Sequence, residues 1–176
     1  MTYEAIGALS ALGTLLVIAA TAAAALVQLR HLRRSNQLTG LLSVLKLFQD
    51  PHFHELIDFV RSDLPQRMND TEFVASLEAT PVDRKRHPEL HVAEMYEEIG
   101  AYVRCDLIDE DYFLQAHWYN VLLYWKLLQP SLSIVRKNRP YTWENFEYLA
   151  MRAQAWSNRH PHGNYPSGAP RMTAVA

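Results

Sequence analysis

His87 and His91 stand four residues apart and Glu94 comes three later, so a helix through them would bring all three onto one face. Two imidazoles and a carboxylate at that spacing could hold a divalent metal. The zinc-protease arrangement is different, because it needs Glu directly after the first His, and here Pro88 occupies that place. Proline suits the first turn of a helix, which would leave His87 at the cap and off the regular face. His87, His91 and Glu94 are therefore metal candidates weighed against a solvated helix start, and the expectation is no metal and no cofactor.

Glu94, Glu97 and Glu98 could serve as a general acid/base group or as ligands of a carboxylate di-iron centre. Such centres repeat Glu-x-x-His on two helices, and this spacing occurs nowhere in the chain. The competing reading is a charged outer face with one Glu paired to an arginine such as Arg104 or Arg152. There is no Gly-x-Ser-x-Gly elbow, and Cys105 has no partner motif, so it reads as a small buried hydrophobe. The six glycines form neither a Gly-x-Gly-x-x-Gly fingerprint nor a phosphate loop. A pI near 6.4 argues against nucleic acid as a partner. Arg84-Lys85-Arg86 then reads as a solvated loop.

The elements that must position these residues start with a charge asymmetry. Ala5 to Leu29 contains no charged residue, although the whole chain is 20% charged. At about 1.5 Å per residue this stretch would make a helix of roughly 37 Å, longer than a hydrocarbon core of about 30 Å. Leu9, Leu12, Leu15, Leu16, Val17, Ile18, Leu26 and Val27 supply its strongly apolar character. A signal peptide would need a basic start, which Met1-Thr2-Tyr3-Glu4 lacks; the small residues from Ala19 to Ala25 keep cleavage as an alternative. Arg30, Arg33 and Arg34 come directly after the stretch and are expected at anionic headgroups. The positive-inside rule then puts the C-terminal side of the span in the cytoplasm and the N-terminus outside. The single cysteine fits a reducing compartment. Gly7 with Ala11, Ser10 with Thr14 and Ala20 with Ala24 are small-xxx-small pairs that would let two such helices approach.

Beyond the basic collar, Leu38, Leu41, Leu42, Leu45 and Phe48 make an amphipathic stripe, continuous with the span or bent at Gly40. Asp50-Pro51 stops this helix and starts another that carries Phe53, Leu56, Ile57 and Val60 and ends at Leu64-Pro65. A short helix after Asp70 carries Phe73, Val74 and Leu77. Val92, Met95, Tyr96, Ile99, Tyr102 and Val103 line a central helix. A helix capped by Asp109 bears Tyr112, Phe113, Trp118, Val121, Leu122, Trp125 and Leu128 and runs to Pro130, and a last one from near Thr142 bears Phe146, Leu149, Ala150, Ala153 and Trp156. The predicted fold class is all-α: a transmembrane helix over 5–29, a basic collar and juxtamembrane helix over 30–50, a small cytoplasmic helical bundle over 51–158 and a disordered tail over 159–176.

QLRHLRRSNQLTGLL after an N-terminal span, HPELHVAEMYEEIGAYVRCDLIDEDYF, YWKLLQP and WENFEYLAMRAQAW together resemble the bacterial proteins grouped as domain of unknown function 4760. The resemblance covers about Leu29 to Trp156 in helix-packing patterns without a cofactor signature, and it implies an architecture and no activity. The expected function is a membrane-anchored helical interaction or adaptor module in the bacterial inner membrane. Its partners would be the lipid bilayer and a protein partner or a second copy. A metal-dependent enzyme or toxin-like effector using His87 and His91, and an accessory subunit of a membrane complex, are the alternatives.

Overall fold

The computed structural model describes residues 3–166 and 168–172, except for the side chains of residues 4–6, 8 and 9. Met1, Thr2, the side chains of Glu4 and Leu9, and tail positions 167 and 173–176 lie outside the described residues. Among the described residues every regular element is a helix: α1 (Tyr3–Phe48), α2 (Pro51–Asp58), a π turn (Phe59–Asp63), α3 (Leu64–Arg67), α4 (Thr71–Ser76), α5 (Glu89–Arg104), α6 (Glu110–Arg136) and α7 (Glu144–Arg159). The chain divides into two compact units, Met1–Thr39 and Gly40–Ala176.

Among its described residues the first unit is helix without a core. Leu15, Leu16, Val17 and Ile18 are 60 to 66% exposed, an arrangement that water penalises and lipid does not. The Thr14 and Thr21 hydroxyls donate back to the Ser10 and Val17 carbonyls at 2.9 and 2.7 Å, so even these polar groups are satisfied within the helix. Between Ser10 and Phe48 an apolar window reaches a mean hydropathy of 2.1 with none of it buried: one helix is long and apolar enough to cross a membrane.

The second unit is a helical bundle in which α7 packs against both α5 and α6. α1 passes Gly40 without a break, and this glycine has a packing role: a Cβ there would stand 2.6 Å from the Leu107 carbonyl oxygen. Of the expected stripe, Leu41, Leu45 and Phe48 are half-buried and Leu38 and Leu42 are not. Leu38 and Leu42 are 58% and 50% exposed, whereas Val44 is fully buried and Leu47 and Phe48 pack against the core. The face that carries the glycine is the one that can approach.

Asp50 caps α2 by accepting from the His52 N–H at 2.9 Å, with Pro51 in the first turn. The chain does not stop at Leu64-Pro65. It widens into the π turn, in which the Leu64 N–H donates to the Phe59 carbonyl, and continues as α3. Pro65 has no N–H and its ring would clash with the carbonyl of Arg61 in an α-helix; the wider turn removes that conflict. Helix α6 likewise continues through Pro130 to Arg136. Burial of Leu128, Leu132 and Val135 offsets the roughly 3 kcal/mol that an interior proline costs.

The start of α7 is held from outside. Trp143, its N-cap, has φ 59° and lacks a side-chain cap bond. Glu97 of α5 supplies one instead, accepting from the Phe146 N–H at 2.7 Å and from Asn145 Nδ2 at 2.8 Å. Arg136 donates to the Thr142 and Trp143 carbonyls at 2.8 and 3.0 Å, fixing a left-handed conformation that a bulky residue rarely adopts. Beside this turn α5 and α7 meet at Gly100, where a Cβ would fall on the Asn145 carbonyl. Tyr96 stacks on Phe146 at 4.9 Å and on Tyr124 at 5.6 Å, and Trp125 meets Phe146 edge-on, so aromatics do fill the centre. Among the described residues after Arg159 there is no helix.

Candidate functional site

The structure separates the residues that spacing had grouped. His91 and Glu94 are half exposed and contact each other at 3.4 Å, and Glu94 also pairs with Arg84, so a cation already occupies that carboxylate. His87 turns away from both into the core, with none of its surface exposed. Among the described residues no group of three or more His, Cys, Asp or Glu converges on a metal position. The other glutamates have separate duties: Glu97 caps α7, and Glu98 accepts from the Tyr102 hydroxyl. Arg152 pairs with Glu110 through two bonds and Arg104 donates to Asn145, so neither expected arginine pairs with the glutamate face. Cys105 lies just past α5 and is exposed, a correction to the buried role expected of it.

What His87 joins is a buried relay. Its Nε2 lies 2.8 Å from Ser76 Oγ at the end of α4, and its Nδ1 lies 3.0 Å from Glu89 Oε1 in the first turn of α5. Ser76 Oγ donates to the Phe73 carbonyl at 2.7 Å. His87 Nε2 must then donate to the serine oxygen, Nδ1 must accept, and the proton between Nδ1 and Glu89 belongs to the carboxyl. Burial enforces this state, pushing the Glu89 carboxyl up to about 7 and the His87 imidazole below its ordinary value. Above that pH the carboxylate accepts from Nδ1–H and the imidazole's other nitrogen can take the serine proton.

Hydroxyl, imidazole and carboxylate in this order also make acyl-transfer triads. Here the imidazole is sealed, the Phe73 ring lies 4.4 Å from it, and the hydroxyl is committed to a backbone carbonyl. The relay ties α4 to α5. Sequence reading found His87 and missed Ser76 and Glu89, whose only signal was a carboxylate two residues after the histidine, beside Pro88.

A second polar region borders open space. Phe48, Phe53, His54, Ile57, Arg61, Tyr96, His117, Asn120 and Tyr124 line a half-open pocket of about 290 Å³. Phe53, Ile57 and Arg61 recur at four-residue intervals along α2 and the π turn, and His117, Asn120 and Tyr124 recur along α6, so two helical faces form the walls. The His117 ring packs between Phe48 and Phe113 at 4.9 and 5.0 Å, and burial lowers its pKa, which keeps it neutral. The Arg61 guanidinium lies 5.2 Å from the Tyr124 ring centre. None of these residues except the apolar ones stood out in the sequence, where Arg61, His117 and Asn120 look like ordinary surface positions.

A long apolar helix, a closed helical bundle and two polar sites within that bundle define an all-α protein with one membrane-compatible segment. The chain belongs to the family described as domain of unknown function (DUF4760), whose model matches residues 15–153. No curated protein and no solved structure matches it.

Proposed function

We propose that the chain is a single-pass membrane protein of the bacterial inner membrane, with its bundle on the cytoplasmic side, working as an interaction module for a protein partner or a second copy. The observation that carries this reading is the exposure of the apolar side chains from Leu12 to Leu29 on a helix that leads into Arg30, Arg33 and Arg34, themselves exposed. Lipid satisfies such a helix, and the arginines suit anionic headgroups at about 1 kcal/mol each. On the bundle, Tyr112, Tyr119 and Met151 are 61 to 67% exposed, and tyrosine and methionine are the residue types that contact surfaces favour. The effector alternative gains nothing from His87 in its sealed position or from Glu94 beside Arg84.

The test is purification of the full chain from native membranes in mild detergent, then mass measurement and identification of any co-purifying protein. Recovery of a stoichiometric partner or a dimer is expected. A bare monomer, with nothing retained by cross-linking in the membrane, would overturn the interaction role.

A further inference from the structure

We propose that the pocket between α2, the π turn and α6 binds a small amphipathic carboxylic acid, with its anionic head on Arg61 and Asn120 and its apolar body against Phe48, Phe53 and Ile57. The proposal concerns the bundle alone and does not rest on the membrane reading.

The polar groups around this space are short of partners. Arg61 is exposed and hydrogen-bonds the Tyr124 side chain, yet it forms no ion pair among the described residues, not even with Asp58 on the preceding turn. The half-buried Asn120 makes no side-chain hydrogen bond to any described residue. Tyr96, only 1% exposed, lines the pocket and its hydroxyl donates to no described acceptor. The Tyr96 hydroxyl and the Asn120 amide thus leave hydrogen-bonding capacity facing this space that a ligand can use.

The charges and the shape select the ligand. Arg61 is the only Lys or Arg among the lining residues, and its planar fork suits a carboxylate. Phe48, Phe53 and Ile57 offer an apolar floor beside it. A cavity of about 150 Å³ takes one benzene ring, so 290 Å³ accepts a fused aromatic or medium-chain acid and excludes a nucleotide. Arg61 lies at the centre of the π turn, and such turns are frequent at functional sites.

A soluble acid and a fatty acid released from the bilayer share this chemistry. The test uses the full chain in phosphatidylcholine nanodiscs, titrated calorimetrically with 1-naphthoate and with the neutral 1-naphthalenemethanol. Saturable one-site binding of the acid is expected, with the alcohol weaker by about tenfold or more. Arg61→Gln should weaken naphthoate by about tenfold, and Asn120→Asp, which sets a like charge at the head position, by at least as much, both with an unchanged thermal midpoint. Displacement of naphthoate by oleate supplied in the nanodisc supports a lipid source, and displacement by decanoate alone supports a soluble one. Equal binding of acid and alcohol, no saturation at millimolar naphthoate, or undiminished binding to folded Asn120→Asp would overturn the proposal.

Discussion

The two units of this chain use the same residue types in opposite ways. Among the described residues of Met1–Thr39, leucine, valine and isoleucine stay exposed on one helix and form no core; in Gly40–Ala176 most of them are buried, many beside aromatic rings. Polar groups differ in the same manner. Thr14 and Thr21 fold back onto their own helix, whereas Glu97, Arg136 and His87 reach across to other elements. A helix whose threonines bond back to its own carbonyls is fit for a solvent that offers no partners, and a bundle in water can use side chains to join its parts.

The largest expected effect comes from giving the first unit a charge. Leu16→Arg with Val17→Arg places two cations mid-helix, each costing about 2.5 to 3.5 kcal/mol of insertion. The double variant should leave the membrane fraction with the bundle's thermal midpoint unchanged. Wild-type partitioning would break the contrast between the units.

Two glycines sharpen the contrast. Gly100→Ala pushes a methyl onto the Asn145 backbone and should cost the bundle roughly 3 kcal/mol, read as a drop in its unfolding midpoint. Gly13→Ala meets nothing within 4 Å and should leave both stability and partitioning as they are. Equal responses at the two positions would mean that the packing of α5 on α7 is wrong.

The buried relay gives a pH signature. Glu89, whose carboxyl is raised from 4.5 to about 7 in the fold, contributes stability that is present below pH 4.5 and lost as pH rises through 7. His87, lowered from 6.5, acts the other way: its contribution is present above pH 6.5 and lost as pH falls. The two oppose each other between 4.5 and 6.5, and only the loss from Glu89 remains as pH approaches and passes 7. Glu89→Gln, whose amide can donate to His87 Nδ1, should flatten that loss and gain of the order of 1 to 2 kcal/mol at pH 8 in denaturant titrations. A Gln variant less stable than wild type at pH 8 would show that the fold favours the carboxylate and that burial does not penalise it.

The smallest effect is at the collar. Replacing any one of Arg30, Arg33 and Arg34 by Gln removes about 1 kcal/mol of attraction to anionic lipid and should weaken the preference for anionic over neutral vesicles without moving the bundle's midpoint. A shift of that midpoint would assign the arginines to the fold.

The helices were legible wherever a cap and a stripe coincided: Asp50, Asp70 and Asp109 all cap as their positions suggest. Two prolines misled, because Pro65 and Pro130 sit inside continuing helices whose compensation, a π turn and a buried far end, depends on tertiary packing. The leucine stripe was legible only in part for the same reason, since Gly40 and the Leu107 carbonyl help to choose which face approaches. Both polar sites combine residues from elements distant in sequence. The relay joins Ser76 to His87, and the pocket joins Arg61 to Asn120, so helical periodicity within one element carries no trace of either.

The exposed Cys105, the chain's one cysteine, offers a direct measurement of the central claim, that α1 lies in lipid with the bundle on the inner side. Cells expressing the protein are treated with a membrane-impermeant maleimide before and after lysis, and the membrane fraction is assayed for modification. The account predicts an unmodified thiol in intact cells and full modification after lysis, all of it in the membrane fraction. Modification of intact cells, or recovery of the protein in the soluble fraction, would contradict it.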